Sequence, residues 1–300
     1  MRRASLTVLL AMFSSSGAVA QGTVPEAGVA WFPNTPRQGT FAYVVVQPSD
    51  PAVHEVRGAV DRVPLYFERI GDRFVALGAV QMAAPDSVPI VLWLEYPDGR
   101  VGTHRSYLPV VAAHFATEQL SVASRFSTEP DSALRVRIRE ENRLAREVGR
   151  KAQETPSLWR RPFIAPRDSR ITSPYGIGRL FNGELRSRHW GTDFDGEMGD
   201  PVRAANRGVI ELVGDFYYGG RVVYLNHGGG LVTAYLHLSE TLVQQGDTVA
   251  RGQLIGRVGQ SGRVTGPHLH WFTRLGRATL DGASLLSLPQ LREEMYIRSR

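Results

Sequence analysis

Five of the eight histidines lie between His189 and His270, and the stretch TGPHLHW, residues 265–271, sets two of them two positions apart. In an extended chain, positions i and i+2 point to one side, so His268 and His270 face a common pocket. A metal, an acid/base pair and an ordinary solvated strand all accept such a pair. Upstream, in HWGTDFDGEMGDPVRA, His189 and Asp193 stand four apart across a glycine. In a loop or irregular strand that spacing lets a nitrogen and a carboxylate oxygen meet one cation. Zinc accepts both at about 2.0–2.2 Å, and three protein ligands with one open position is its catalytic pattern. The third ligand would come from the HLH pair. Alone, H-x-x-x-D describes countless surface loops; joined to H-x-H in a chain with no cysteine, it makes a metal site the leading reading.

Two further histidines bear on this pocket. His237, in TAYLHLSE, sits between Leu236 and Leu238 and faces away from them on a strand. By itself it would be a satisfied structural residue; on a strand beside HLH it would flank the open metal position. His227, in NHGGG, reads as a turn residue outside the site.

The elements that must hold these residues read as β structure. From about Val29 to Val111, short β-branched and aromatic runs alternate with turn signals. FAYVVVQ is one such run, VPLYFERIGDRFVALGAV turns at Gly71-Asp72, and VPIVLWLEYPDGRVGTHRSYLPV turns at Pro97-Asp98-Gly99. This predicts a small β-sandwich. Between His114 and Pro166, Leu134, Ile138, Ala145 and Val148 recur at helical intervals among charges, with Thr128 as a cap. That predicts an amphipathic helix of about four turns. Trp159 and Phe163 then serve as packing anchors on an extended connector. From Ile171 onward, period-two alternation and glycine turns return. The fold class expected is all-β: a signal segment at 1–20, an N-terminal sandwich at 21–113, a helical connector at 114–166, an antiparallel β domain at 167–290 and a tail at 291–300.

Arg2-Arg3, an apolar core from Leu6 to Phe13 and Ala18-x-Ala20 are the parts of a secretory signal cleaved after Ala20. The core is too short for a membrane anchor, and no later run reaches spanning length. A periplasmic or cell-surface location is therefore expected. Export makes the missing cysteines informative, because an oxidising compartment would have permitted disulfides. The formal charge of +6 falls by two with the signal, and the arginines are dispersed, so no nucleic-acid arm is formed. An apolar fraction of 42% is ordinary for a globular protein, so disorder is not the default reading.

Four separated pieces together resemble the lysostaphin-type, LytM-like peptidoglycan metallopeptidases. They are His189-x-Gly191-x-Asp193, Gly199-x-Pro201-Val202-x-Ala204, Tyr235-x-His237-Leu238 and Gly266-Pro267-His268-Leu269-His270. The SPYG approach at 173–176 and the run GDTVARGQLIGRVGQSGRVTGPHLHW at 246–271 belong to the same likeness, which covers about residues 159–287. The resemblance implies His189, Asp193 and His270 as zinc ligands, with His237 and His268 as the non-ligand histidines that assist catalysis. It implies a zinc-dependent endopeptidase that hydrolyses peptide cross-links of peptidoglycan through a zinc-activated water, His268 moving the proton and His237 hydrogen-bonding the transition state. The partner is then peptidoglycan stem peptides or cross-links. FNGELRSR, just before His189, lacks a tyrosine that some members carry, leaving Tyr175 or Tyr235 to substitute. The alternative function is a metal-free wall-binding activator of a separate hydrolase, but relatives of that kind have lost ligands that this chain retains. For the N-terminal β domain, the expectation is a spacer or regulatory role, including contact with a regulatory protein partner.

Overall fold

The computed structural model describes residues 27–119, 130–181 and 184–288. The signal segment, the tail at 291–300 and the expected cap Thr128 lie outside the described residues. Among the described residues, nine strands precede a long helix: β1 (Gly28–Phe32), β2 (Phe41–Gln47), β3 (Glu55–Val60), β4 (Val63–Leu65), β5 (Glu68–Ile70), β6 (Arg73–Ala79), β7 (Ser87–Glu95), β8 (Val101–Pro109) and β9 (Thr117–Gln119). The helix is α1 (Ser132–Glu154). Thirteen strands follow it, beginning with β10 (Ile171–Ser173), β11 (Gly178–Phe181), β12 (Glu184–Arg188), β13 (Gly191–Asp195), β14 (Pro201–Arg203) and β15 (Gly208–Phe216). The rest are β16 (Gly220–Gly228), β17 (Leu231–Leu238), β18 (Glu240–Thr241), β19 (Thr248–Val249), β20 (Leu254–Arg257), β21 (His268–Leu275) and β22 (Ala278–Leu280), before a short helix α2 (Gly282–Leu286). The chain is predominantly β.

In the N-terminal half, the sheets β1-β2-β6-β5 and β4-β3-β7-β8 face each other across one core. Their hairpins close where the turn residues stand: Ile70 pairs with Arg73 around Gly71-Asp72, and Glu95 pairs with Val101 around the Pro97-Asp98-Gly99 turn. Strand β2, FAYVVVQ, is buried on both faces. Ala42, Val44 and Val46 enter the core between the two sheets, whereas Phe41, Tyr43 and Val45 enter a second core shared with the C-terminal half. The same division splits β6, with Phe74 and Ala76 on one side and Val75 and Leu77 on the other. Continuous apolar runs of this kind suit a strand with no solvent face. Trp159 and Phe163 pack edge to face, with ring centroids 5.0 Å apart, in that second core.

Helix α1 runs 23 residues, about six turns at 3.6 residues each rather than the four expected. Asp131 caps it by accepting from the Leu134 amide at 2.8 Å, and the chain leaves the helix just before Pro156. Its length follows from a stripe wider than the apolar residues alone. Glu141 is buried within it, its carboxylate accepting from the Tyr217 amide and from Arg137. Val148 and Ala152 pack with Leu212, Val222, Tyr224, Val232 and Ala234 on one face of the main sheet, β10-β13-β21-β17-β16-β15-β19, with β22 paired to β21. The other face carries the core that holds Phe194, Tyr235 and Trp271.

His227 is not in the turn. It lies within β16, one residue before the strand ends, fully buried, its Nδ1–H donating to the Arg207 carbonyl at 2.8 Å and its Nε2 2.9 Å from the Thr233 hydroxyl. Burial pushes this imidazole down to about 4. A folded-state value below the unfolded one near 6.5 means its stability contribution is complete above that pH and is lost as pH falls towards 4. The difference is worth about 3 kcal/mol. Thermal melts at about pH 7 and about pH 4.5 should therefore show a smaller acid destabilisation for His227→Gln than for the parent chain.

Candidate active site

Strand β21 lies between β13 and β17 in the main sheet. The β13 register sets Asp193 opposite His270 and Asp195 opposite His268, and the β17 register sets Leu236 opposite His270. His189 precedes β13, held by backbone hydrogen bonds to Gly176 and Ile177 on either side. These pairings bring His189, Asp193 and His270 together, each offering a donor atom within 4.8 Å of the others. His189 Nε2 is 2.9 Å from Asp193 Oδ1 and 3.0 Å from His270 Nδ1, and His270 Nδ1 is 2.7 Å from the same carboxylate oxygen.

The surroundings direct these donors inward. His189 Nδ1–H donates to the Pro174 carbonyl at 2.9 Å, with Ser173 Oγ 3.2 Å away, so its Nε2 is left as the lone pair that faces Asp193. His270 turns Nδ1 into the cluster and packs the opposite edge of its ring on Gly191. A Cβ there would stand 2.5 Å from His270 Nε2 and 2.7 Å from the Trp271 carbonyl, which explains the glycine between His189 and Asp193. Burial would raise the Asp193 carboxyl, but the close approach of the His189 and His270 imidazoles to Oδ1 outweighs it and holds the group well below the ordinary carboxylate range. Two imidazoles and one ionised carboxylate, three donors in all, fit a zinc ion with a position left open. Their 2.7–3.0 Å separations lie a few tenths inside the roughly 3.3 Å expected between tetrahedral donors at zinc distances.

His237 and His268 stand beside this cluster, with ring centroids 5.0 Å apart, and His237 lies 5.7 Å from the His270 ring. His268 Nε2 is 3.8 Å from Asp193 Oδ1. Each donates Nδ1–H to a backbone carbonyl at 2.9 Å, His237 to Ser261 and His268 to Gly266, which leaves both Nε2 atoms unprotonated and free to act. Burial, followed by the neighbouring His270 and His268, pushes His237 well below its ordinary value. Simple alternation does not orient His237. A register shift on the β16 side of β17 leaves it with φ +63°, its amide bonded to the Gly219 carbonyl.

Neither tyrosine expected to substitute upstream of His189 reaches the cluster. Tyr235 is fully buried and accepts from the Ala205 amide, while the Tyr175 hydroxyl donates to the Thr279 carbonyl at 2.7 Å. The cleft of about 320 Å³ over the cluster holds residues that the sequence reading did not single out: Glu118, Arg179 and Arg263. Arg263 lies inside the run quoted for its histidines, so the signal was present. Arg179 and Glu118 meet only through the parallel pairing of β9 with β11.

The model of peptidase family M23 matches residues 187–281, the stretch that carries all five of these side chains. Residues 187–281 form a peptidase family M23 domain. Among curated proteins, the chain is 45% identical over 103 residues to the peptidoglycan DD-endopeptidase ShyA of Vibrio cholerae, covering 34% of this chain and 24% of that protein. It is 36% identical over 146 residues to the DD-carboxypeptidase/endopeptidase Mpg of Neisseria meningitidis, covering 48% and 33%. The chain thus matches about a quarter to a third of the length of these relatives. A crystal structure from Pseudomonas aeruginosa, described as peptidase M23, superposes with TM-score 0.65 at 26% identity over 84% of this chain and 96% of that one. That likeness extends beyond the M23 domain into the N-terminal sheets.

A methyl group at position 191 should displace His270, since the Trp271 carbonyl prevents the backbone from yielding. Gly191→Ala is expected to weaken zinc binding roughly 10–100-fold, as for other groups that orient a metal ligand, while leaving the far-ultraviolet circular dichroism unchanged. Competition with a chromogenic chelator measures the loss.

Proposed function

We propose that this chain is a zinc-dependent endopeptidase that hydrolyses peptide cross-links of peptidoglycan. The observation that carries the reading is a pair of imidazoles, each with Nδ1–H tied to a carbonyl and Nε2 free, beside a three-donor cluster on adjacent strands. The printed activities of ShyA and Mpg support the substrate class. In this reading His189, Asp193 and His270 hold zinc, and the domains divide as the sequence suggests: signal 1–20, sandwich 21–113, connector 114–166, peptidase domain 167–290 and tail 291–300. Among the described residues, no helix is long and apolar enough to cross a membrane. The signal-like residues 1–20 support export to the periplasm or cell surface, and the N-terminal sandwich serves as a spacer or regulatory part.

Amide hydrolysis requires a nucleophile, stabilisation of the charge that develops on the carbonyl oxygen, and protonation of the leaving amine. Bound zinc supplies Lewis acidity and lowers the pKa of water from 15.7 towards about 7. His268 Nε2, on the cleft side of Asp193, takes a proton from water and returns it to the leaving nitrogen. His237 cannot readily hold a proton where it is buried. Its Nε2 lone pair faces the same space and accepts a hydrogen bond from the attacking water as the transition state forms. Asp193 stays ionised and holds both ligand imidazoles in place.

Replacing His189, Asp193 or His270 by Ala should remove both zinc and activity. His268→Ala and His237→Ala should retain zinc and release fragments from purified sacculi about 10²–10⁴ times more slowly. Elemental analysis paired with mass spectrometry of the fragments reads both quantities. A His268→Ala protein without zinc would reverse the division of roles, and wall digestion unaffected by a chelator would remove the metal mechanism.

A further inference from the structure

The cleft beside the metal cluster is lined by two guanidiniums, those of Arg179 and Arg263. Most charges around them are already matched. Asp195 pairs with Arg170 at 2.9 Å, Asp193 with its two imidazoles, and Glu118 with Arg179 at 3.1 Å. Arg263 is the exception: among the described residues no carboxylate pairs with it. Its guanidinium carbon lies 4.4 Å from the Tyr218 ring centroid, and its amide donates to the Tyr218 carbonyl. The side chain is therefore held by stacking rather than by an acid. Burial pushes its pKa down from the ordinary value.

We propose that Arg263 binds a free carboxylate of the substrate peptide close to the scissile bond. Peptides bearing that carboxylate are then selected over neutral ones such as an oligoglycine bridge. This rests on the proposed endopeptidase reading and narrows its substrate. A planar guanidinium offers two parallel N–H donors that match a carboxylate, and stacking on Tyr218 reduces the side-chain freedom that binding would otherwise remove. A partly desolvated cation without an acid partner gains more from an arriving anion than an exposed one does. The chain also illustrates the fit. Glu118, on the extended strand β9, lays its carboxylate on Arg179 Nε while β9 pairs in parallel with β11. An extended segment presenting a carboxylate is thus already accommodated at this edge of the cleft. A glycine bridge would leave Arg263 unmatched.

The test uses a synthetic cross-linked stem-peptide dimer with free carboxylates and the same dimer with those carboxylates amidated. Binding is read by calorimetry on the full chain carrying His268→Ala, which slows turnover. Hydrolysis of the same pair is read on the parent chain. The acid should bind roughly 10–100-fold more tightly than the amide, as expected for charge-assisted hydrogen bonds. Adding Arg263→Gln should bring the two close to parity, and Arg263→Lys should restore part of the difference. A merely structural Arg263 would weaken both peptides alike. Equal binding of acid and amide, discrimination that survives Arg263→Gln, or no binding of either peptide overturns the proposal. Should the discrimination appear and vanish with Arg263→Gln while the parent chain hydrolyses neither peptide, the carboxylate site stands and the endopeptidase reading falls.

Discussion

The site depends on burying one ionised carboxylate between two strands. Asp193 is almost fully enclosed, and an ion so placed costs several kcal/mol unless its partners replace the water it gives up. His189 and His270 both approach Oδ1, while Arg179 lies 3.5 Å from Oδ2. The pairing of β13 with β21 makes this possible, because it places Asp193 and His270 directly opposite, where side chains on one face stand closest. A slip of one residue would turn Phe194 or Leu269 into the cleft and send the ligands into the core. Register and chemistry are therefore specified together, since the apolar residues that lock the strands alternate with the polar ones that form the site.

Backbone carbonyls do the remaining orientation. Pro174, Ser261 and Gly266 each receive an Nδ1–H from His189, His237 and His268 respectively. All three belong to glycine- or proline-containing turns, so the turns are part of the site rather than connectors between its strands. His237 adds a local cost, since a non-glycine residue at φ +63° is disfavoured by about 1 kcal/mol or more. The strain is retained where the register of β16 against β17 shifts, and where Gly259 lies so close that a Cβ would fall 2.6 Å from the His237 carbonyl. The strain persists because these neighbours over-determine it.

Much of this was legible in the residues, for identifiable reasons. H-x-H on a strand is a local pattern with a fixed geometric meaning, and Gly71-Asp72 and Pro97-Asp98-Gly99 carry their turn chemistry in their own types. What was not legible is non-local. Alternation puts His237 opposite its leucines but says nothing of a left-handed residue at a register shift. His227 looks like a turn residue beside three glycines, yet strand pairing carries β16 one residue past it. The helix was underestimated because Glu141 faces the sheet, and a buried glutamate is visible only once the Tyr217 amide is seen beneath it. Tyr235 belongs to a motif piece, but its hydroxyl is bound in the core.

The same non-local logic joins the two halves of the chain. Strands β2 and β6 have no solvent face: alternate residues fill the core between the N-terminal sheets and the core beneath the M23 domain, so those sheets are tied to the domain by apolar burial rather than by a linker alone. From β8 the chain runs to β9, whose Glu118 binds Arg179, which in turn reaches Asp193. Neither Glu118 nor Arg179 falls within the matched residues 187–281. A contact path thus runs from the N-terminal half to the outer oxygen of a metal-cluster carboxylate. Each link is a charged pair with both side chains less than a third exposed, where solvent screening is weaker than at an open surface. The five clustered side chains all lie within the matched residues 187–281, whereas the wall of the cleft beside them is built partly by Glu118 and Arg179, which precede that stretch.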